Sequence, residues 1–346
     1  MQYIGIDIHK KYGVYTTLGE NGKVVDQSRI DNNPILINEH LNKFNQPLKA
    51  TIEATFSWGW LADLLSERKI GVTLAHPQRV KAIASAQIKT DKVDSKILAQ
   101  LLRANLIPPA YYTPKDIRDQ KELLRFRASL VGIKTQTKNR IHSLLDKLNI
   151  REPEELTDVF GKKGRQFLNN LILPSNSQFA LRQYLNLIDQ LEKQIHEGNE
   201  LIDEQFSGND QAKLLQQLPG LGKYSSLILA VEIGPIDRFN TSKQLCSYAG
   251  LVPSVFQSGD KTRYGKIKQG NSYIRWVLLE AVPKAIKKDK KLMDFYLRIS
   301  DKKGKKKAKV AAARKMLTQI YHILKRKQVF RNGEQGSPVF FSEDIE

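Results

Sequence analysis

The chain opens on an alternating pattern. In residues 3–9 the isoleucines Ile4, Ile6 and Ile8 fall on one side of a period-2 repeat, and Tyr3, Gly5, Asp7 and His9 on the other. That alternation predicts a half-buried strand. Residues 13–19 are β-branched and aromatic and predict a second strand. Glu20-Asn21-Gly22-Lys23 predicts a hairpin turn, because Asn-Gly tolerates two positive φ angles. Residues 23–30 supply a third strand. After Pro34, the spacing of Ile35, Leu36, Leu41 and Phe44 is helical. Residues 49–55 then predict a strand, 57–69 a helix and 70–76 a fifth strand. Pro77 can open another helix, and 92–105 predict one more.

Three strands joined by tight turns, followed by helix–strand units, imply a mixed sheet with helices on its faces. That order matches the RNase H-like fold. Two prolines in residues 106–112 cannot continue a helix, so a boundary is placed there. Residues 116–148 and 178–206 form two long amphipathic patterns. They suggest a helical or coiled-coil arm, either a bundle linking two domains or an oligomerisation element. The expected fold class is therefore α/β plus α. It has a mixed-sheet domain over 1–112, an arm over 113–208 and a mostly helical domain over 209–346. Within the last, 250–271 read as turns, and the lysine-rich 301–309 as a solvated loop before a helix at 310–325.

Charge changes the picture. The 346 residues carry 56 Lys and Arg against 36 Asp and Glu, a formal net charge of +20. Such an excess favours a polyanionic partner, nucleic acid or an anionic membrane surface. No apolar run approaches the roughly 20 residues of a membrane span, and no basic leader precedes the first apolar stretch. The expectation is a soluble cytoplasmic protein. The lone Cys246 rules out an internal disulfide and argues against a cysteine-based zinc site.

The candidate chemistry lies in four acids. Asp7 sits in an otherwise apolar strand, facing away from the isoleucines, where an unpaired carboxylate is costly. Glu53 ends the fourth strand in the same way. Asp91 and Asp94 are three residues apart at a helix start and share a face. If that helix packs beside the sheet, four carboxylates converge, repel one another and would partly protonate without a cation. Hard oxygen ligands suit Mg²⁺ or Mn²⁺, and a pair of such ions can serve both oxygens of a phosphodiester displacement. Taken singly, each acid could be an edge residue, an ion-pair partner or a first-turn helix acid with Thr90 or Asp91 as cap.

Four segments of the N-terminal part, residues 5–10, 52–59, 76–81 and 89–102, resemble the DEDD-type insertion-sequence transposases. That family includes pilin-gene inversion recombinases and bridge-RNA-guided recombinases. Residues 219–234, 238–281 and 308–317 resemble its C-terminal transposase domain, in the same order along the chain. The resemblance implies a RuvC-like domain in which Asp7, Glu53, Asp91 and Asp94 bind divalent metal. It also implies a serine that attacks DNA and becomes covalently attached. Ser258, in Gln257-Ser258-Gly259, is the natural match, with Ser254 as the alternative. A serine hydroxyl needs a base, a metal or electrostatic stabilisation to act at neutral pH. The implied partners are donor and target DNA, a structured bridge RNA and further copies of the chain, as dimer or tetramer.

Several basic residues are candidate nucleic-acid contacts. Lys223 follows Pro219-Gly220-Leu221-Gly222, a turn that resembles a helix-hairpin-helix, whose amides could approach a phosphate. Lys261, Arg263, Lys266 and Lys268 surround Tyr264, which suits a backbone with a stacked base. Arg79, Lys81 and Lys89 flank the acids, and Lys134, Lys138 and Arg140 lie on the long helix. Two rival functions stand beside the transposase. One is a Holliday-junction-resolvase-like nuclease using only the acids, and the other a non-catalytic nucleic-acid-binding protein.

Overall fold

Period-2 patterning in the N-terminal third produces five strands, because one face of each must leave water. They are β1 (Gln2–Ile8), β2 (Tyr12–Leu18), β3 (Val24–Asp31), β4 (Leu48–Glu53) and β5 (Gly71–Ala75), and they order as β3-β2-β1-β4-β5. The first three pair antiparallel, and β4 and β5 add in parallel. The helices are α1 (Pro34–Leu41), α2 (Trp58–Glu67), α3 (Pro77–Ile83) and α4 (Asp91–Arg103). The computed structural model describes residues 1–84, 90–259, 261–265, 267 and 270–327. The chain divides into two compact units, Met1–Arg118 and Asp119–Glu346.

In the first unit, Ile4, Ile6, Ile8, Ala50, Ile52 and Leu74 bury against Ile37 and Leu41 of α1 and Leu61, Ala62 and Leu65 of α2. Each such isoleucine or leucine contributes about 1.5–3 kcal/mol when fully buried. The opposite face is covered by α4. Gly5 makes this seating close: a Cβ there would lie 2.1 Å from the Ser95 carbonyl oxygen. The Thr16 and Ser95 hydroxyls hydrogen-bond at 2.8 Å, and Gln27 Nε2 donates to the Lys92 carbonyl at 3.0 Å.

The β2–β3 hairpin turns where expected, with one difference. Only Gly22 has a positive φ, +78°, and Gly22 N–H donates to the Gly19 carbonyl at 3.0 Å. The loop is thus a β-turn followed by one left-handed residue, which Gly supplies without strain. Residues 106–112 do break the helix pattern. His76 N–H then bonds the Pro108 carbonyl at 2.9 Å, and Ala110 N–H the Leu74 carbonyl at 2.8 Å, alongside β5.

The second unit is helical. It contains most of α5 (Lys115–Lys147), with α6 (Lys162–Asn170), α7 (Ser175–Ser207), α8 (Asp210–Gln216), α9 (Lys223–Ile233) and α10 (Ser242–Tyr248). There follow a two-stranded ribbon of β6 (Val255–Ser258) and β7 (Lys261–Tyr264), then α11 (Ser272–Ala285), α12 (Lys290–Lys303) and α13 (Lys305–Arg326). The 33-residue helices α5 and α7 pack through Leu130, Leu191 and Ile195. A second cluster joins Ile141, Leu145, Leu181, Leu185 and Ile188 to Leu168 of α6. Helix α9 is buried on almost every side, from Ser226 to Ile233.

Two expectations are corrected here. The ribbon occupies a stretch expected to be rich in turns, with no strand assigned to it. Residues 301–309 are not a loop: they end α12 and begin α13, and Gly304 at φ +82° alone interrupts the helices. Lys and Ala are good helix formers, and Leu292, Ala308 and Ala312 bury an inner stripe while the lysines face outward. Among the described residues no helix is long and apolar enough to cross a membrane.

Candidate active site

The N-terminal site is built where β1, β4 and α4 meet. Asp7 is the penultimate residue of β1, near its C-terminal end. The parallel register pairs Ile6 with Ile52, so Asp7 and Glu53 leave the sheet side by side, on the face away from the isoleucines. Neighbouring strands lie about 4.8 Å apart. Helix α4 begins over this strand end. Thr90 is its cap, accepting from Val93 N–H at 3.3 Å, and Asp91 and Asp94 occupy the first turn.

His9 completes the cluster. Its Nε2 lies 3.3 Å from Asp7 Oδ2 and 3.2 Å from Asp91 Oδ2. One ligand atom from each of Asp7, His9 and Asp91 falls within 4.8 Å of the others. Three donors so spaced can surround a cation at about 2.0–2.2 Å from each, the distance of Mg²⁺–oxygen and of transition-metal–imidazole bonds. Sequence reading placed His9 on the face of Asp7 but gave it no role, although the two-residue spacing was the signal.

Electrostatics supports the same reading. Burial pushes the Asp7 carboxyl above its ordinary pKa; His9 opposes that, and Asp91 and Asp94 add to it. Asp94 is thus close enough to act by charge. Tyr12 Oη donates to Asp91 Oδ2 at 3.1 Å, which raises the phenol pKa, and Arg29 stacks over the Tyr12 ring at 3.7 Å. The cluster carries more negative charge than one imidazole can balance, as expected of a divalent-cation site.

Ser258 lies in the other unit, at the tip of the β6–β7 ribbon. It pairs with Lys261 and is exposed, and Gly259 beside it turns at φ +55°. Phe256 pairs with Arg263, so by strand alternation Ser258 and Phe256 share a face with Lys261 and Arg263. Ser254 lies at the open base of the ribbon, at the end away from Ser258, where its carbonyl accepts from Gly265 N–H at 2.7 Å.

The start of α11, after the ribbon, is held by a buried acid that the sequence did not single out. Glu232, 1% exposed, accepts from Arg125 Nε at 2.7 Å and Nη2 at 3.0 Å, with Lys121 Nζ at 3.6 Å. Asn271 Nδ2 donates to the same carboxylate at 2.8 Å, while Asn271 Oδ1 caps α11. One acid in the apolar run Leu227–Ile233 was the signal available.

Of the expected nucleic-acid contacts, Arg79 is exposed on α3, and Lys261 and Arg263 are exposed on β7. Lys223 begins α9 and pairs with Asp203 Oδ2 at 2.8 Å. In the preceding turn, Gly222 N–H donates to Ser225 Oγ at 2.8 Å. Gly220, at φ +89°, seats against α11, where a Cβ would lie 2.6 Å from the Ala281 carbonyl oxygen. Lys89, Lys266 and Lys268 lie outside the described residues, and of Tyr264 only the backbone is described.

Comparison with known proteins agrees with this build. A DEDD-type IS110 transposase model matches residues 4–150, and the model for the transposase IS116/IS110/IS902 family matches 212–297. The transposase for insertion sequence element IS1111A of Coxiella burnetii is 26% identical over 277 residues, covering 76% of this chain and 74% of its own. A pilin gene-inverting protein of Moraxella bovis is 28% identical over 291 residues, covering 82% of each chain. The first match contains Asp7, Glu53, Asp91 and Asp94, and the second contains Ser258. Fold, site and matches define an enzyme of the DNA transposase and recombinase class. The chain belongs to the IS110 family of DEDD transposases.

Proposed function

We propose that this protein cleaves and rejoins DNA strands through Ser258, assisted by Mg²⁺ or Mn²⁺ held by Asp7 and Asp91, with Glu53 and Asp94 completing the set. The observation that carries the reading is the meeting of Asp7, His9 and Asp91 within 4.8 Å at the end of β1. The first unit is read as RNase H-like, in the RuvC manner, because a five-stranded mixed sheet presents the acids from neighbouring strands and an overlying helix.

A divalent cation there would neutralise phosphate charge and stabilise the entering and leaving oxygens of a displacement. The chain's own residues do the rest. Ser258 Oγ loses its proton and bonds to phosphorus, and the bond from phosphorus to one sugar oxygen breaks. That oxygen leaves as a hydroxyl, and the serine holds the phosphate as an ester. Lys261 and Arg263, on the face of Ser258, orient the phosphate and balance its charge. Attack by a sugar hydroxyl of a second strand reverses the step and frees the serine, so strand exchange conserves phosphodiester bonds.

Joining two DNA partners calls for several copies of the chain, as a dimer or tetramer, acting on DNA in the bacterial cytoplasm. A structured bridge RNA choosing donor and target is supported by the family resemblance. In this reading 113–208 serve as the arm and 209–346 as the serine-bearing domain.

The test is a covalent trap. The protein is incubated with DNA, with and without its co-purified RNA, and adducts are resolved under denaturing conditions. Ser258→Ala is expected to abolish the adduct, and chelation or Asp7→Asn to suppress its formation. An adduct lost only with Ser254→Ala moves the nucleophile to Ser254. Metal-dependent cutting with no adduct assigns a hydrolytic, resolvase-like nuclease instead.

A further inference from the structure

Positive charge in this chain is concentrated far from both candidate sites in sequence. Between Lys284 and Lys315 stand 14 Lys and Arg against three aspartates, so 32 residues carry +11 of the chain's +20. The centre of this segment is the elbow at Gly304. Lys302 and Lys303 end α12, and Lys305, Lys306 and Lys307 begin α13. All five are exposed, and none has an acidic partner among the described residues. Lys309, by contrast, pairs with Glu280 at 3.8 Å.

The placement works against the fold. A helix N-terminus carries partial positive charge and favours acids. The first turn of α13 contains no acid, has no side-chain cap, and carries three consecutive lysines. Deeper in the α12–α13 contact, burial holds the Lys315 ammonium below its ordinary pKa; Asp289 opposes this, and Arg298 and Lys291 add to it. Cations are thus crowded where helix electrostatics would place anions. A surface kept so despite its cost to stability points to an external anion.

We propose that the α12–α13 elbow, through Lys302, Lys303, Lys305, Lys306 and Lys307, grips the phosphate backbone of duplex DNA. Residue types select this occupant. Sequence-independent contact with duplex phosphates needs point charges, which lysine supplies. Unpaired strands would call for exposed aromatic platforms, and there is no aromatic residue between Ile299 and Val310. An anionic membrane would call for exposed apolar residues beside the lysines, and Ala308, the apolar residue among them, is buried. Duplex DNA presents one charge per about 1.7 Å of axis, so a cluster confined to six positions meets several phosphates at once. The proposal rests on the family's action on DNA, and is independent of Ser258 and of the acid cluster.

The test is equilibrium binding of a labelled duplex of arbitrary sequence, in chelator, across a salt series, so that no cleavage is needed. K305Q/K306Q/K307Q is expected to lower the slope of log affinity against log salt by about 2–3 and to weaken binding ~10–100-fold at moderate salt. Its melting temperature should stay level or rise, because the first turn of α13 loses misplaced charge. K162Q/K163Q/K193Q removes equal charge from α6 and α7 and should leave the slope near that of the wild type. If the α13 variant melts early, K302Q/K303Q, on the favourable C-terminal pole of α12, provides the same reading with a slope loss of about 1–2. Equal slopes for the elbow and control variants overturn the proposal. So does an elbow variant that keeps duplex affinity and loses only a structured RNA.

Discussion

Gly5→Ala asks whether the acid cluster depends on how closely α4 sits on β1. A Cβ at position 5 falls 2.1 Å from Ser95 O and 2.3 Å from Ala99 N, both backbone atoms of α4. Ordinary carbon contacts begin at about 3.5 Å, so the helix must retreat by roughly 1.2–1.4 Å. That retreat stretches the 2.8 Å Thr16–Ser95 hydrogen bond and carries Asp91 and Asp94 away from Asp7. Overpacking of this kind costs about 1–3 kcal/mol, a drop of roughly 5–15 °C in the melting of a unit this size. A displacement near 1 Å at a catalytic group costs about 10²-fold in rate. The assays are calorimetry, Mn²⁺ binding followed by electron paramagnetic resonance, and the rate of covalent adduct formation. Gly71→Ala is the control, since nothing lies within 4 Å of a Cβ there, and it should be neutral within about 0.5 kcal/mol. Wild-type melting and Mn²⁺ affinity in Gly5→Ala would refute the argument.

Two further perturbations test the electrostatics. With its pKa raised, Asp7 binds a proton more tightly folded than unfolded, so its stabilising contribution is present at low pH and lost as pH rises through the raised value. Asp7→Asn should therefore melt higher than the wild type at neutral pH in chelator, match it in acid, and lose the increase in melting temperature that Mn²⁺ induces; a variant that melts lower at neutral pH contradicts this. Arg125→Ala leaves the 1%-exposed Glu232 with Lys121 and Asn271 alone, and removing one partner of a buried pair costs about 3–5 kcal/mol. Urea unfolding of the second unit should show that loss and Arg125→Ala/Glu232→Gln should recover much of it, whereas a single-variant loss below about 1 kcal/mol would show that Glu232 is solvated.

Local chemistry determined much of this protein before any packing was known. The alternation of Ile4, Ile6 and Ile8 with Gly5 and Asp7 set both the strand and the side the carboxylate faces, because strand side chains repeat every two residues. Asn21-Gly22 set the hairpin, and the proline pair at 108–109 ended a helix. The charge of +20 favoured a polyanionic partner. Other features depended on residues distant in the chain. His9 bridges Asp7 and Asp91 only because α4 is seated over β1, which Gly5 permits through contact with Ser95, 90 positions away. Glu232 looked like one acid in an apolar helix until Arg125, Lys121 and Asn271 closed around it. The lysines at 302–307 resembled a solvated loop, and helix propensity together with burial of Ala308 and Ala312 made them two helix ends. Strand period and turn chemistry are local and can be read from neighbours in sequence. The partners of a buried charge, and the surface that a cluster of cations presents, are decided only when distant segments pack.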